Sequence, residues 1–149
     1  MTSVQRIAVG VDGSDSALRA VDFAAELAQA RWAELVLVTI AEALPATDQG
    51  LQEHMRAEHL TAWGDLVEAY ANQILTAAKK RAAVYDGVRI RTEWRAGVVA
   101  EQLAQFARED RCDMLVVGHL GRSRLAGFMF GSVTFKLLGL SPCPLTVVC

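Results

Sequence analysis

The sequence predicts an open α/β fold, a five-stranded parallel sheet with helices on both faces. Three observations carry this. Short apolar runs suited to buried strands alternate with longer stretches whose apolar residues recur at three- and four-residue steps, from Arg6 to Cys149. The stretch Val88 to Trp94 instead alternates apolar and polar residues, as an edge strand with one wet face does. The fourth apolar run feeds a loop carrying glycines, cations and no acid, and a helix-compatible segment follows it. In α/β proteins such a junction is where phosphate is held.

Composition sets the bounds. A chain of 149 residues is long enough for one domain, 1–149, with a substantial core. At 52% hydrophobic and 21% charged it should fold and not remain disordered. A net charge of −2 gives no reason to expect nucleic acid or an anionic membrane as partner. No run of 18 apolar residues is present, so no transmembrane helix is expected. The opening MTSVQRIAVGVDG lacks a signal-peptide core and reads as the first strand. Three cysteines with no CxxC suit reduced thiols and a cytoplasmic location.

The elements follow in order. Arg6 to Val11 is the first strand, and Asp12-Gly13-Ser14-Asp15-Ser16 is a turn ending in helix-capping residues. From Ala17 the positions Leu18, Val21, Ala24, Ala25 and Ala28 mark a helix ending near Arg31. Leu35 to Ile40 is continuously apolar, as a strand buried on both faces requires. Ala41 to Gln52, with Pro45, Asp48 and Gly50, reads as a loop. A long helix is expected from Leu51 to about Val84, with Trp63, Leu66, Val67, Tyr70, Ile74, Ala77, Ala78 and Arg81 as its stripe. His54 and His59 are five apart, off one helical face, and read as solvated. After the edge strand and an Arg95-Ala96-Gly97 turn, Val98 to Glu109 is a helix burying Val99, Leu103 and Phe106. Met114 to Val117 is the fourth strand, and Val133 to Leu140 the last helix. Ser141-Pro142-Cys143-Pro144 stops that helix, with one X-Pro bond a candidate for cis, and Leu145 to Cys149 is the fifth strand.

The loop reads Gly118-x2-Gly121-x9-Gly131-Ser132. It is neither a Walker A loop nor GxGxxG. Glycine lets a backbone approach an anion closely, and a helix start offers unpaired N–H groups and partial positive charge. Ser132 suits the N-cap position. The same glycines also fit a plain turn and cap. Asp12 lies just past the carboxyl end of the first strand, the edge where open α/β sheets bind ligands; it either contacts a ligand there or caps the first helix.

This spacing, with a strand before it and Gly-Ser-Val after it, resembles the nucleotide loop of ATP-holding members of the universal stress protein family. The run VGVDGSDSALRAVDFAAELA resembles the opening of those proteins. The resemblance covers nearly the whole chain and implies a Rossmann-like sheet of order 3-2-1-4-5, with Asp12 and the Gly118 loop on opposite lips of one crevice. It implies that Asp12 contacts the nucleoside, that the Gly10 backbone lies near it, and that the backbone of Ile40 reads the adenine edge. Phosphates would rest on Gly118, His119, Gly121, Arg122, Ser123 and Arg124, and on Gly131, Ser132, Val133 and Thr134, with Mg²⁺ as a candidate companion of ATP. It also implies a homodimer through the last strand, since an apolar edge strand is a liability unless paired. Two departures stand out. Gly97-Val98-Val99-Ala100 lacks the proline often found there, and His119-Leu120 replaces a hydroxyl residue after the first loop glycine; His119 either donates to phosphate or faces solvent.

No Ser-His-Asp elbow, HExxH or motif-placed general base accompanies the loop. The expected function is a nucleotide-dependent regulator of a stress response with little or no hydrolysis. A slow ATPase or nucleotidyl-transfer enzyme, and a nucleotide-free interaction module, are the alternatives.

Overall fold

The structure, a computed structural model, describes residues 3–42, 60–121 and 131–149, except the side chains of 60–63 and 66. In chain order the elements are β1 (Arg6–Gly10), α1 (Asp15–Arg31), β2 (Glu34–Ala41), α2 (Leu60–Ala82), β3 (Arg89–Ala96), α3 (Val99–Glu109), β4 (Met114–Gly118), α4 (Ser132–Leu140) and β5 (Leu145–Val148). The strands form one parallel sheet of order β3-β2-β1-β4-β5. This is the Rossmann-like arrangement expected.

Successive strand residues point to opposite faces, so continuously apolar strands feed two cores. Ile7, Val9, Leu35, Leu37 and Val116 pack with α1 and α2. Ala8, Val36, Val38, Leu115 and Val117 pack with α3 and with Leu137 of α4. Helix α1 meets the sheet through Ala20, Ala24, Ala25 and Ala28. It starts at Asp15, two residues before the sequence suggested, because the Ser14 side chain accepts from the Ala17 N–H at 3.2 Å and caps it. It ends at Trp32, left-handed at φ 57° and 86% exposed, a place where glycine is the usual residue.

Helix α2 is turned relative to the expected stripe. Its buried positions are Ala71, Leu75, Ala78 and Ala82, whereas Ala77 and Arg81 are exposed and Tyr70 is 45% exposed. Arg81 instead donates to Asp22 of α1 at 2.8 Å through Nε. The expected N-terminal part of this helix, His54, His59 and most of the 41–52 loop lie outside the described residues, as do the side chains of Trp63 and Leu66.

Strand β3 is the edge strand predicted, and its α3 face is covered by charges. Arg6 Nε lies 2.6 Å from Glu34 Oε2, and Arg91 pairs with Asp110. Arg95 reaches Glu93 at 3.0 Å and Glu109 at 2.8 Å, with its guanidinium 5.0 Å from the Phe106 ring centroid. Charges on an edge strand discourage further strand pairing. Cys112 is buried beneath this region, and burial pushes its thiol up to about 12. At the other end, Ser141 caps α4 in an extended conformation, and no cis peptide bond occurs among the described residues, so the candidate cis proline is absent.

Candidate functional site

The sheet order reverses between β1 and β4: β2 and β3 follow to one side and β5 to the other. Crossover helices diverge to opposite faces at such a point and leave a crevice beyond the strand ends. A cavity of about 560 Å³ occupies it, within the range of small-molecule sites. Its floor is the carboxyl ends of β1, β2 and β4, from Gly10 to Asp12, Val38 to Glu42, and Val117 with Gly118. Helix α2 forms one wall, α3 contributes Val99 and Leu103, and Gly121 with Gly131 to Thr134 closes the far side.

The segment after β4 is held from three directions. The Gly131 N–H donates to the His119 carbonyl at 2.7 Å, and the Thr134 hydroxyl donates to the Gly118 carbonyl at 3.1 Å. The Ser16 hydroxyl donates to the Leu120 carbonyl at 2.5 Å, and the Leu120 N–H donates back to Ser16 Oγ at 3.4 Å. The His119 N–H continues the ladder to the Val148 carbonyl of β5 at 2.9 Å. Gly118 makes this clamp possible. A Cβ on it would lie 2.3 Å from Ser16 Oγ and 2.6 Å from the Ser16 carbonyl carbon.

Helix α4 begins one residue earlier than a Ser132 cap would give. Gly131 is extended, at φ −68° and ψ 160°, and is the N-cap, and no side chain caps it. The N–H groups of Ser132, Val133 and Thr134 therefore open this helix without intrahelical partners, beside the cavity. Such a terminus can hold an anion. The Thr134 hydroxyl is spent on Gly118 and is buried.

Asp12 Oδ1 accepts from the Ser14 N–H at 2.9 Å, and Oδ2 would lie 3.2 Å from a Cβ on Gly121. Its carboxylate thus braces the turn into α1 and stands against the glycine loop across the crevice. Gly10 lines the cavity, and its lack of a side chain also serves packing: a Cβ there would meet Leu103 Cδ1 at 2.9 Å. Ile40 lines the cavity from the end of β2. His119 does not line it; its main chain joins the β4–β5 ladder, and its Nδ1 is buried with no hydrogen-bond partner among the described residues. Arg122, Ser123 and Arg124 lie outside the described residues. Among the described residues no group of three or more His, Cys, Asp or Glu side chains could hold a metal ion, and no helix is long and apolar enough to cross a membrane.

Sequence reasoning missed Ser16 and the α2 wall. Ser16 reads locally as one more residue of a capping turn, and only the fold brings it to Leu120, 104 positions away.

The model of the universal stress protein family matches residues 3–148. The chain is 31% identical over 145 residues to the universal stress protein YxiE of Bacillus subtilis, covering 96% of this chain and 97% of that one. It is 34% identical over 134 residues to the universal stress protein Rv1636 of Mycobacterium tuberculosis, covering 89% and 88%. Among solved structures, a universal stress protein in complex with cAMP superposes with a TM-score of 0.71 at 30% identity, covering 99% and 98% of the two chains. The chain belongs to the universal stress protein family.

Proposed function

We propose that this chain is a nucleotide-binding regulator of a stress response that holds ATP in the crevice at the ends of β1, β2 and β4 and turns it over slowly or not at all. The observation that carries this is the uncapped start of α4 opening on a cavity of about 560 Å³ at the switch point of the sheet. In this reading Asp12 takes the nucleoside, with Gly10 and Ile40 on the same rim. The phosphates rest on the Gly118–Gly121 backbone and on the Gly131–Thr134 helix start, with Arg122, Ser123 and Arg124 completing the loop. Mg²⁺ would accompany the triphosphate and neutralise part of its charge. Asp12 and Glu42 are the carboxylates among the described residues that line the crevice.

The test is mass spectrometry of small molecules released on denaturing protein purified without added nucleotide. ATP near one per chain is expected. No release, with no shift in melting temperature on adding ATP and Mg²⁺, would refute the reading and favour an interaction module. Metal-dependent phosphate release that falls in Asp12→Ala would favour the slow ATPase. A second ligand, cyclic AMP, is favoured by the complex described for the 30% identical relative; competition against bound ATP separates the two.

The cytoplasm is the proposed location. A homodimer through the free edge of β5 is proposed too, supported by Phe135 and Leu138 on α4, 71% and 65% exposed. Sedimentation at micromolar concentration should show two chains per particle; a monomer throughout would refute it.

A further inference from the structure

Helices α2 and α4 pack on opposite faces of the sheet, and the cavity runs over the strand ends from one to the other. Its two ends differ in chemistry. The α4 end offers main-chain N–H groups. The α2 end offers Val67, Tyr70, Ala71 and Ile74.

Tyr70 is the unusual member of this wall. It stands beside the buried stripe of α2 and not in it, and it remains 45% exposed while lining the cavity. The ring therefore borders the cavity from outside the sheet's core. The next residue, Ala71, is buried and small, so the wall recedes beside the ring. A planar, largely apolar group fits such a place, and an aromatic ring gives it a stacking face.

We infer that Tyr70 is a ligand-binding residue that stacks on the base of the bound nucleotide. The ligand then lies across the sheet edge with its base on α2 and its phosphates at α4. The inference rests on the nucleotide reading above, which already sets that orientation, and adds the residue. Every base has a π-face, so stacking contributes alike to any ligand carrying the same base, whatever its phosphates.

The experiment is calorimetric titration of wild type, Tyr70→Phe, Tyr70→Leu and Tyr70→Ala with ATP, cyclic AMP and adenosine, with inorganic tripolyphosphate as the base-free probe. Melting curves confirm that each variant is folded. Y70A and Y70L should weaken all three adenine ligands by a common factor of about fivefold or more. Y70F should bind like wild type, and tripolyphosphate should bind all four proteins alike. Y70L keeps apolar volume without a ring, so it separates stacking from simple contact and decides the matter if Y70A does not fold. Wild-type affinity for the adenine ligands in Y70L overturns the inference and leaves the nucleotide reading standing. Failure of wild type to bind any adenine ligand overturns both.

Discussion

Gly118→Ala is the perturbation whose cost the structure defines most sharply. The added methyl would sit 2.3 Å from Ser16 Oγ, 2.6 Å from the Ser16 carbonyl carbon and 2.8 Å from the Ala17 nitrogen. Two of these three are backbone atoms in the first turn of α1, so a side-chain rotation cannot clear the space. Either β4 draws back from α1, or α1 shifts and the Ser16–Leu120 bond breaks. Overpacking of this kind costs about 1–3 kcal/mol, and a lost hydrogen bond about 1 kcal/mol more. For a domain of this size each kcal/mol lowers the melting temperature by roughly 2–4 °C, so a fall of roughly 5–15 °C is expected. Circular dichroism melts and urea unfolding read it directly. Gly139→Ala is the control, because nothing lies within 4 Å of its Cβ site; in the last turn of α4 it should be neutral or gain up to about 0.5 kcal/mol. Adding Ser16→Gly to Gly118→Ala removes the Oγ contact and leaves the two backbone contacts, so it should recover only part of the loss. A Gly118→Ala protein melting with wild type would refute the reasoning, since it would mean that β4 and α1 are not held at this separation.

Four further outcomes follow from the same geometry. Ser16→Ala frees Leu120 from its clamp and should weaken nucleotide binding about threefold to tenfold at a stability cost of about 1 kcal/mol, read by calorimetry and melting. The Glu34 carboxyl is held below its ordinary value of 4.5: burial alone would raise it, but the hydrogen bond and charge of Arg6, with Arg91 and Arg89, outweigh that. The unfolded chain thus binds this proton more readily than the folded one, so the contribution is full above the ordinary value and drains as pH falls through it; urea midpoints should drop more steeply below about pH 5 for wild type than for Glu34→Gln. Trp32→Gly relieves a left-handed backbone at φ 57° and should raise the unfolding free energy by about 1 kcal/mol, seen as a higher urea midpoint at unchanged slope. With a thiol reagent at about pH 8, exposed Cys149 should react at once, whereas Cys112, buried and pushed up to about 12, should react only on unfolding.

The strands and both cores follow from features that are local in sequence, continuous apolar runs in β1, β2 and β4 and alternation in β3, whereas the order of the strands was implied by the family resemblance. The glycine spacing likewise marked the crevice, because the backbone approach it permits is a property of the residues themselves. What could not be read locally depends on distant partners. Tyr70-Ile74 and Ala71-Leu75 offer α2 almost equivalent stripes, and packing against α1 and the sheet selects the second. Ser16 gains its role only when β4 arrives beside it. Arg6, Glu34 and Arg91 come from three strands and Asp110 from the C-cap of α3, and they meet only at the start of the sheet. Ser132 and Gly131 compete for one cap, and the extended backbone at Gly131 decides it.

The hydrogen bond from Gly131 to His119 has a consequence for chain length. It makes neighbours of the two ends of the stretch 122–130; the Gly121 nitrogen is 3.3 Å from the Cβ site of Gly131. Lengthening a connection whose ends already meet costs little, only about 0.6 kcal/mol for each doubling. The fold would therefore accept insertions between Gly121 and Gly131 at small thermodynamic expense. A spacing of nine residues is not something stability demands of this chain. Lengthened variants that fold normally would turn that interval into an adjustable part, free to be redesigned for other ligands while the sheet beneath stays as it is.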